Sequence, residues 1–199
     1  MDDKEKIYAG IARYERTGAG RHHHRGKSSE AVIDREAVLA ALDLREGLTV
    51  LDAGCGNGYM AREFARRVGE GGRVYALDPD EEAIAALRAG TSGERITALV
   101  GNITARTPLP AGIFDLVYLS TVVHGFSPEE IRGFDREVRR LLAPGGVLAV
   151  VEIVKGETPF GPPRQLRFSP EELKRALTLP AGETRPAGEH FYLQLFRKS

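Results

Sequence analysis

The residues best suited to binding a ligand lie in one short stretch, from Thr49 to Tyr59, with the sequence TVLDAGCGNGY. An apolar run ends in Asp52, and glycines then alternate at positions 54, 56 and 58. Glycine lets a chain turn sharply and lets a ligand lie against the main chain. A helical pattern follows from Met60 to Val68, and the first N–H groups of a helix point toward such a ligand. This order of strand, glycine turn and helix predicts a binding site.

The glycine spacing is close to the dinucleotide-binding fingerprint but departs from it. The third glycine comes one residue early, and Tyr59 stands where that fingerprint has glycine. A nicotinamide-dependent oxidoreductase shares this general arrangement and stays an alternative function. The sequence contains no Tyr-x-x-x-Lys pair of the kind that serves catalysis in such enzymes.

Polar residues also follow the other predicted strands. Asp78 lies about 20 residues beyond the glycines, where a carboxylate can accept hydrogen bonds from a ribose diol. Asn102 follows the third strand, and its amide could pair with the edge of an adenine, while Ser120 follows the fourth. In open α/β sheets the ligand lies outside the carboxyl ends of the strands, where the strand order reverses. His124 comes shortly after the fourth strand, and histidine can accept a proton near neutral pH.

Strand and helix patterns alternate along the chain, which predicts a doubly wound, mostly parallel α/β sheet. The predicted strands are 49–53, 73–77, 96–100, 114–119 and 147–154, and the predicted helices are 29–42, 60–68, 81–89, 128–142 and 169–177. Two further strands are expected at 183–186 and 188–198, and their short connection predicts antiparallel pairing.

The N-terminal part differs in character from this core. An amphipathic helix is predicted over 4–16, and the glycine-rich break at 17–29 contains His22-His23-His24. Three consecutive histidines do not converge on one ion, so we expect no metal site there. We interpret residues 1–30 as a lid segment and 31–199 as the catalytic domain. The proline-rich loop at 155–167 is a second lid candidate.

From about Ala31 to Lys198 the chain resembles the class I S-adenosylmethionine (SAM) methyltransferases. The closest likeness is to the small-molecule branch that includes quinone-biosynthesis enzymes. The motifs that carry this resemblance are VLDAGCGNGYMA, VYALDPDEEAI, LVGNITARTPLPAGIFDLVYLSTVVHGF and LLAPGGVLAVVE. The resemblance implies a Rossmann-like fold with a seven-stranded sheet whose C-terminal strand is antiparallel. The family often has Asp where this chain has Asn102, which is a departure at the adenine contact.

The resemblance also implies the cofactor and the residues that bind it. The cofactor would be SAM, and the predicted cofactor-binding residues are Asp52, Gly54, Gly56, Asn57, Gly58, Asp78, Pro79, Asn102, Ile103 and Ser120. The methyl group would pass by in-line displacement to a small-molecule acceptor, with His124 as the candidate catalytic base. Such a reaction depends mainly on alignment and on excluding water. Because it leaves few obligatory catalytic residues, a non-catalytic SAM-binding protein is a further alternative.

Composition limits the partners. A chain of 199 residues suits one well-buried domain, and its 28 basic and 28 acidic residues give a formal net charge of zero. No strong field would therefore attract nucleic acid or an anionic membrane. After the fourth strand, Ser120-Thr121-Val122-Val123 stands where amino-methylating DNA enzymes carry a polar-Pro-Pro-aromatic motif. The single cysteine, Cys55, and the lack of an apolar run of about 20 residues predict a cytoplasmic protein. The oligomeric state stays open.

Overall fold

The computed structural model describes residues 30–91 and 95–199, and in these ranges seven strands form one sheet. The strands are β1 (Thr49–Ala53), β2 (Arg73–Asp78), β3 (Ile96–Val100), β4 (Phe114–Ser120), β5 (Leu142–Ile153), β6 (Ala181–Pro186) and β7 (Phe191–Arg197). The α-helices are α1 (Arg35–Ala41), α2 (Tyr59–Val68), α3 (Glu81–Gly90), α4 (Pro128–Leu141) and α5 (Pro170–Ala176). Two short 3₁₀ helices cover Val123–Gly125 and Arg164–Leu166.

The strand order is β3-β2-β1-β4-β5-β7-β6, and the pairs from β3 to β5 are all parallel. Strand β7 runs antiparallel to both β5 and β6. The chain moves outward in one direction from β1 to β3 and then returns to place β4 on the other side of β1. The carboxyl ends of β1 and β4 therefore flank the point where the strand order reverses, which is where open α/β sheets bind ligands. The predicted fold class is confirmed.

Successive side chains of each strand point to opposite faces, and this builds two separate cores. Helices α1, α2 and α3 cover one face, whose core includes Val50, Phe64, Val74, Ile84, Leu116 and Val151. Helices α4 and α5 cover the other face, whose core includes Leu51, Leu77, Val117, Phe134, Val138 and Leu173. Neighbours in sequence such as Val50 and Leu51 thus belong to different cores. Covered faces on both sides explain why the strands read as apolar runs.

Three helices begin where the sequence predicts, and their caps give the reason. The Ser127 hydroxyl accepts from the Glu130 N–H while the Glu130 carboxylate accepts from the Ser127 N–H, which is a capping box. Ser169 and Glu172 form the same arrangement at α5. Asp80 caps α3 by accepting from two N–H groups of its first turn. Each such cap stabilises its helix by about 1 kcal/mol.

Three predicted boundaries are wrong by three residues or more. Strand β7, expected from residue 188, begins at Phe191, because residues 188–190 form the turn after β6. The helix expected from residue 29 begins only at Arg35, because the Asp34 side chain accepts from the Ala37 N–H and caps it there. Strand β5 begins at Leu142 rather than at Val147. The residues expected to form a plain turn find strand partners instead, since the Gly145 N–H donates to the Lys198 carbonyl and the Lys198 N–H donates to the Gly146 carbonyl.

The proline-rich loop after β5 folds around a buried guanidinium. Arg167 donates hydrogen bonds to the carbonyls of Val154, Gly156, Phe160 and Pro162 and to the Thr158 hydroxyl. Its lid role stays a prediction. The predicted helix at 4–16 and the break at 17–29, including the histidines, lie outside the described residues, as does the lid segment apart from residue 30. Among the helices of the described ranges, none has the length and apolar character needed to span a bilayer.

Candidate functional site

Asp52 lies inside the sheet near the carboxyl end of β1 and is 3% exposed. Its Oδ2 is buried and has no hydrogen-bond partner among the described residues. Burial raises the pKa of Asp52 to about 7, the nearby Ala61 N–H lowers it, and the charge of Asp78 raises it further. An unpaired buried carboxylate is costly, and a cationic ligand group would satisfy it. Asp52 is therefore suited to hold an ammonium group.

The three glycines of the loop have positive φ angles of 71°, 51° and 72°, but their surroundings differ. A Cβ on Gly54 would lie 2.7 Å from Cγ2 of Val122, and a Cβ on Gly58 would lie 2.5 Å from Cδ1 of Leu87. A side chain at either position would therefore have to displace Val122 or Leu87. A Cβ on Gly56 would meet no atom within 4 Å. Only at Gly56 does the loop present its backbone to open space that a ligand could fill.

Asp78 ties the glycine loop to the end of β2. Its Oδ2 accepts from the Gly56 N–H at 2.9 Å, and its Oδ1 accepts from the Asp80 N–H at 2.9 Å. Each carboxylate oxygen can accept a second hydrogen bond, so the group keeps capacity for a diol. Pro79 follows in the exposed connection to α3, and Asn57 is exposed with its Oδ1 accepting from the Tyr59 N–H.

The turn after β3 places Asn102 on the surface. Its Oδ1 accepts from both the N–H and the hydroxyl of Thr104. The amide nitrogen is therefore the part of this side chain that faces outward as a donor. Ile103 is buried in the core beneath α4, so its possible contribution to a ligand is through its backbone.

The chain after β4 turns sharply. Thr121 has a φ of 57°, which costs a β-branched residue roughly 1–3 kcal/mol. Its N–H donates to the Val151 carbonyl, so this N–H is committed to β5 and not to a ligand. The neighbouring Ser120 has a buried hydroxyl, which lies near the hydroxyl of Tyr118. The backbone strain at Thr121 marks this turn as a place where function, more than stability, sets the structure.

His124 lies in the 3₁₀ helix that follows this turn and is buried. Its Nδ1 is 2.8 Å from Oε2 of Glu152, a fully buried residue of β5. Burial disfavours the imidazolium and the charge of Arg167 opposes it, but the carboxylate of Glu152 outweighs both and raises the pKa of His124. This pair was not predicted from the sequence. The available signal was one acid within the otherwise apolar strand sequence VLAVVEI, on the strand next to the one that leads to His124.

The structure brings most of the predicted residues to one edge of the sheet, at the carboxyl ends of β1 to β5. Val122 connects the two halves of this edge, because it packs on Gly54 and lies two residues before His124. Asp52, Gly54, Gly56 and Asp78 form one continuous group through the hydrogen bond from Gly56 to Asp78. Gly58 lies at the start of α2 and packs against α3, so its place in the group is structural.

The known proteins that this chain is similar to include methyltransferases. Residues 50–146 match a family model described as a methyltransferase domain. A ubiquinone/menaquinone biosynthesis C-methyltransferase of Bordetella avium is 34% identical over 132 residues, which cover 63% of this chain and 48% of that protein. A sterol 24-C-methyltransferase of Gibberella zeae is 33% identical over 136 residues, which cover 64% and 34%. This chain thus spans about half the length of the first relative and a third of the second.

Among solved structures, a SAM-dependent methyltransferase from Aquifex aeolicus has the same fold. The TM-score is 0.76 at 24% sequence identity, and the match covers 96% of this chain and 98% of the other.

Proposed function

We propose that this protein, a member of the class I SAM-dependent methyltransferases, moves a methyl group from SAM to a small-molecule acceptor. The observation that carries this proposal is the combination of Gly56 and Asp52 at the switch point of the sheet. Gly56 presents its backbone to open space, and Asp52 holds a buried carboxylate oxygen without a partner among the described residues. A ligand with an ammonium group beside an extended chain fits both features, and the methionine part of SAM has that form.

The remaining residues fit the other parts of SAM. The Asp78 carboxylate would accept hydrogen bonds from the two ribose hydroxyls, with Pro79 beside it. Asn102 and the backbone of Ile103 would contact the adenine, and Ser120 would line the site from β4. When bound, SAM supplies a methyl carbon on a positively charged sulfur, which is a good leaving group.

The protein's own contribution is to align the acceptor, exclude water and accept a proton. Alignment of two reacting groups can lower a barrier by roughly 7–11 kcal/mol. His124 is the candidate base, since it lies just beyond the β4 end and two residues after Val122, which packs on the glycine loop. Residues 1–30 and the loop at 155–167 are the candidates for the cover that excludes water. A small acceptor is favoured over nucleic acid because the formal net charge is zero.

Thermal unfolding with SAM, S-adenosylhomocysteine (SAH) and NAD tests the donor. A ligand at 100 times its Kd stabilises the folded state by about 2.7 kcal/mol, so SAM and SAH should raise the Tm and NAD should not. A rise with NAD alone would overturn the proposal in favour of an oxidoreductase.

Release of SAH separates an enzyme from a non-catalytic SAM-binding protein. The protein is incubated with SAM and a panel of phenols, hydroquinones, amines, thiols and carboxylic acids. We expect SAH to form with at least one class of acceptor. Binding of SAM without SAH formation across the whole panel would favour the non-catalytic alternative.

A further inference from the structure

The proline-rich loop at 155–167 is held in shape by one side chain. Arg167 is 7% exposed, and the oxygens that accept the hydrogen bonds of its guanidinium all belong to residues 154–162. Among the described residues it forms no ion pair with a carboxylate. A buried cation without an acid is costly, and here the ring of oxygens offsets that cost. The loop and Arg167 therefore depend on each other for their structure.

This loop lies at the carboxyl ends of the strands, where the proposed SAM site is. It begins where β5 ends, and a Cβ on Gly161 would lie 2.4 Å from Cδ1 of Ile153, the last residue of β5. Burial and the Arg167 guanidinium both oppose the imidazolium of His124, so the buried charge also lies near the turn after β4. The connection from β5 to α5 is much longer than the roughly 2–6 residues typical between a strand and a helix, and such long loops are usually functional.

The folded loop presents one large apolar side chain to solvent. Phe160 is 41% exposed, although its ring stacks on Phe191 with centroids 6.1 Å apart and makes an edge contact with His190 at 5.5 Å. Its carbonyl accepts from both the Arg167 guanidinium and the Thr158 hydroxyl. The backbone and the ring of Phe160 are therefore both fixed, while the outer part of the ring stays exposed. A fixed apolar surface binds a partner with little cost of ordering.

The position of this ring favours the methyl acceptor as its partner. Ser120, the predicted SAM-binding residue at the end of β4, pairs with Val151 of β5. Two residues further along β5, Ile153 pairs with Phe191, on which the Phe160 ring stacks. With strands about 4.8 Å apart and about 3.3 Å per residue, Phe191 lies roughly 12 Å from Ser120. An acceptor that reacts beside Ser120 can therefore reach Phe160 with its apolar part.

We infer that Arg167 is a positioning residue that fixes Phe160 as an apolar contact for the methyl acceptor. This inference rests on the proposed function, and it adds that the acceptor has an apolar part large enough to cover a phenyl ring. It also makes the loop a fixed wall of the acceptor site and not a lid that opens. Changes in the loop should therefore alter the binding of the acceptor and leave the binding of SAM unchanged.

Limited digestion with trypsin tests whether Arg167 holds the loop, and it requires neither SAM nor an acceptor. Lys155 and Arg164 are cleavage sites within the loop, and mass spectrometry identifies the cuts there. Cleavage of a folded protein follows the population of locally open chain, so both cuts should be about tenfold or more faster in Arg167→Met than in the wild type. Arg140→Met is the matched control, because Arg140 also donates to loop carbonyls, and its cuts at these two sites should match the wild type. Equal rates in Arg167→Met and the wild type would overturn the inference.

Binding of 2-naphthol tests the apolar contact itself. This phenol with two fused rings is titrated by calorimetry into protein saturated with SAH. We expect it to bind the wild type, with a Kd about fivefold or more higher in Phe160→Ala and in Arg167→Met. In Phe160→Leu the Kd should stay within about twofold of the wild type, because leucine keeps an apolar surface. The Kd for SAH should be the same in all of these variants.

The controls separate positioning from a structural role and from the other possible partners of the ring. Arg140→Met should lower the Tm and leave the Kd for 2-naphthol unchanged. The same behaviour in Arg167→Met, no binding of 2-naphthol to the wild type, or equal affinity in Phe160→Ala would each overturn the inference. A dimer that dissociates in Phe160→Glu on size-exclusion chromatography would assign the ring to an interface between copies of the chain and overturn it as well. Failure of SAH to bind the wild type would count against the proposed function, whereas the trypsin result on Arg167 would stand.

Discussion

Buried carboxylates occur in two regions of this molecule, and the regions differ in the hydrogen-bond donors that the protein supplies to them. The ligand edge, at the carboxyl ends of the strands, contains Asp52 and Glu152. The α4 anchor, formed by α4 and the loops against it, contains Asp135 and Glu137. Glu137 accepts from the N–H and hydroxyl of Thr107 and pairs with Arg140, and Asp135 accepts from the N–H and hydroxyl of Thr178. In the α4 anchor every carboxylate oxygen has a fixed protein donor.

At the ligand edge the carboxylates do not all have such fixed donors. Asp52 keeps one buried oxygen without a hydrogen-bond partner among the described residues, and Glu152 bonds to a group that can gain or lose its proton. Burial alone therefore does not separate a functional acid from a structural one. The useful distinction is whether the folded protein supplies every oxygen of the acid with a donor that keeps its proton at ordinary pH. Where it does not, the missing partner is expected to be a ligand or a proton.

Replacing Asp52 with Asn should give the largest change in stability. The folded-state pKa of about 7 lies above the ordinary value of 3.8, so the ionised side chain destabilises the folded protein increasingly from pH 4 to 7. Each pKa unit corresponds to about 1.4 kcal/mol. Without ligand, Asp52→Asn should therefore unfold with a free energy about 2–4 kcal/mol higher at pH 8, with a smaller gain at pH 5. Urea unfolding at both pH values measures this.

The same substitution should weaken SAM binding. A hydrogen bond between charged groups is worth about 1.5–3 kcal/mol, so titration calorimetry should show a Kd roughly 10–150 times higher. The wild-type affinity should also rise between pH 6 and 8 as Asp52 ionises, and this rise should disappear in Asp52→Asn. Asp135→Asn is the control from the α4 anchor. It should lose about 1–2 kcal/mol of stability with SAM affinity unchanged, and the contrast between the regions fails if both variants behave alike.

Replacing Glu137 with Gln should lower stability by about 1.5–3 kcal/mol, because a buried arginine–carboxylate contact is broken. Although burial opposes ionisation, Arg140 and Thr107 outweigh it and hold the pKa of Glu137 below its ordinary value. A lowered folded pKa gives stability that is present above the unfolded value, about 4.3, and is lost as the pH falls through the folded pKa. The wild type should therefore lose more stability than Glu137→Gln between pH 5 and 3. Thermal unfolding across that range measures the difference, and parallel curves would contradict it.

The sequence predicted the parts of the fold that local chemistry determines. Apolar runs gave the strands, and Ser127 and Ser169 marked helix starts, because capping acts within four residues. The start of β5 could not be predicted, since Leu142 pairs with Phe114 of β4 and the glycines after it bond to Lys198 at the far end of the chain. The Glu152–His124 contact also joins residues 28 apart, one on β5 and the other in the 3₁₀ helix that follows β4. Sequence spacing does not reveal whether two such side chains share a face and meet.

The glycines of the loop after β1 also show that contacts cannot be predicted from spacing in the sequence. They allow a sensitive comparison of the ligand edge with a site away from it. All three were predicted to bind the ligand, and the sequence did not show that a side chain at Gly54 or Gly58 would also have to displace Val122 or Leu87. Gly56 differs because its Cβ position is open. Gly112 resembles Gly56 closely, because its φ is 70° against 51° and a Cβ there would also meet no atom within 4 Å. It lies before β4, and its N–H donates to the Arg140 carbonyl. Alanine at either site should cost about 1–2 kcal/mol from its positive φ.

The two alanine variants should therefore differ only in ligand binding. Gly56→Ala places a methyl group in the space proposed for SAM, so its SAM affinity should fall about tenfold or more, corresponding to at least about 1.4 kcal/mol. Gly112→Ala should keep the wild-type affinity. Urea unfolding measures the first quantity and titration calorimetry the second. If Gly56→Ala binds SAM as tightly as Gly112→Ala does, the open side of the loop is not where SAM lies, and the proposed position of the methionine part must be abandoned even if methyl transfer is observed.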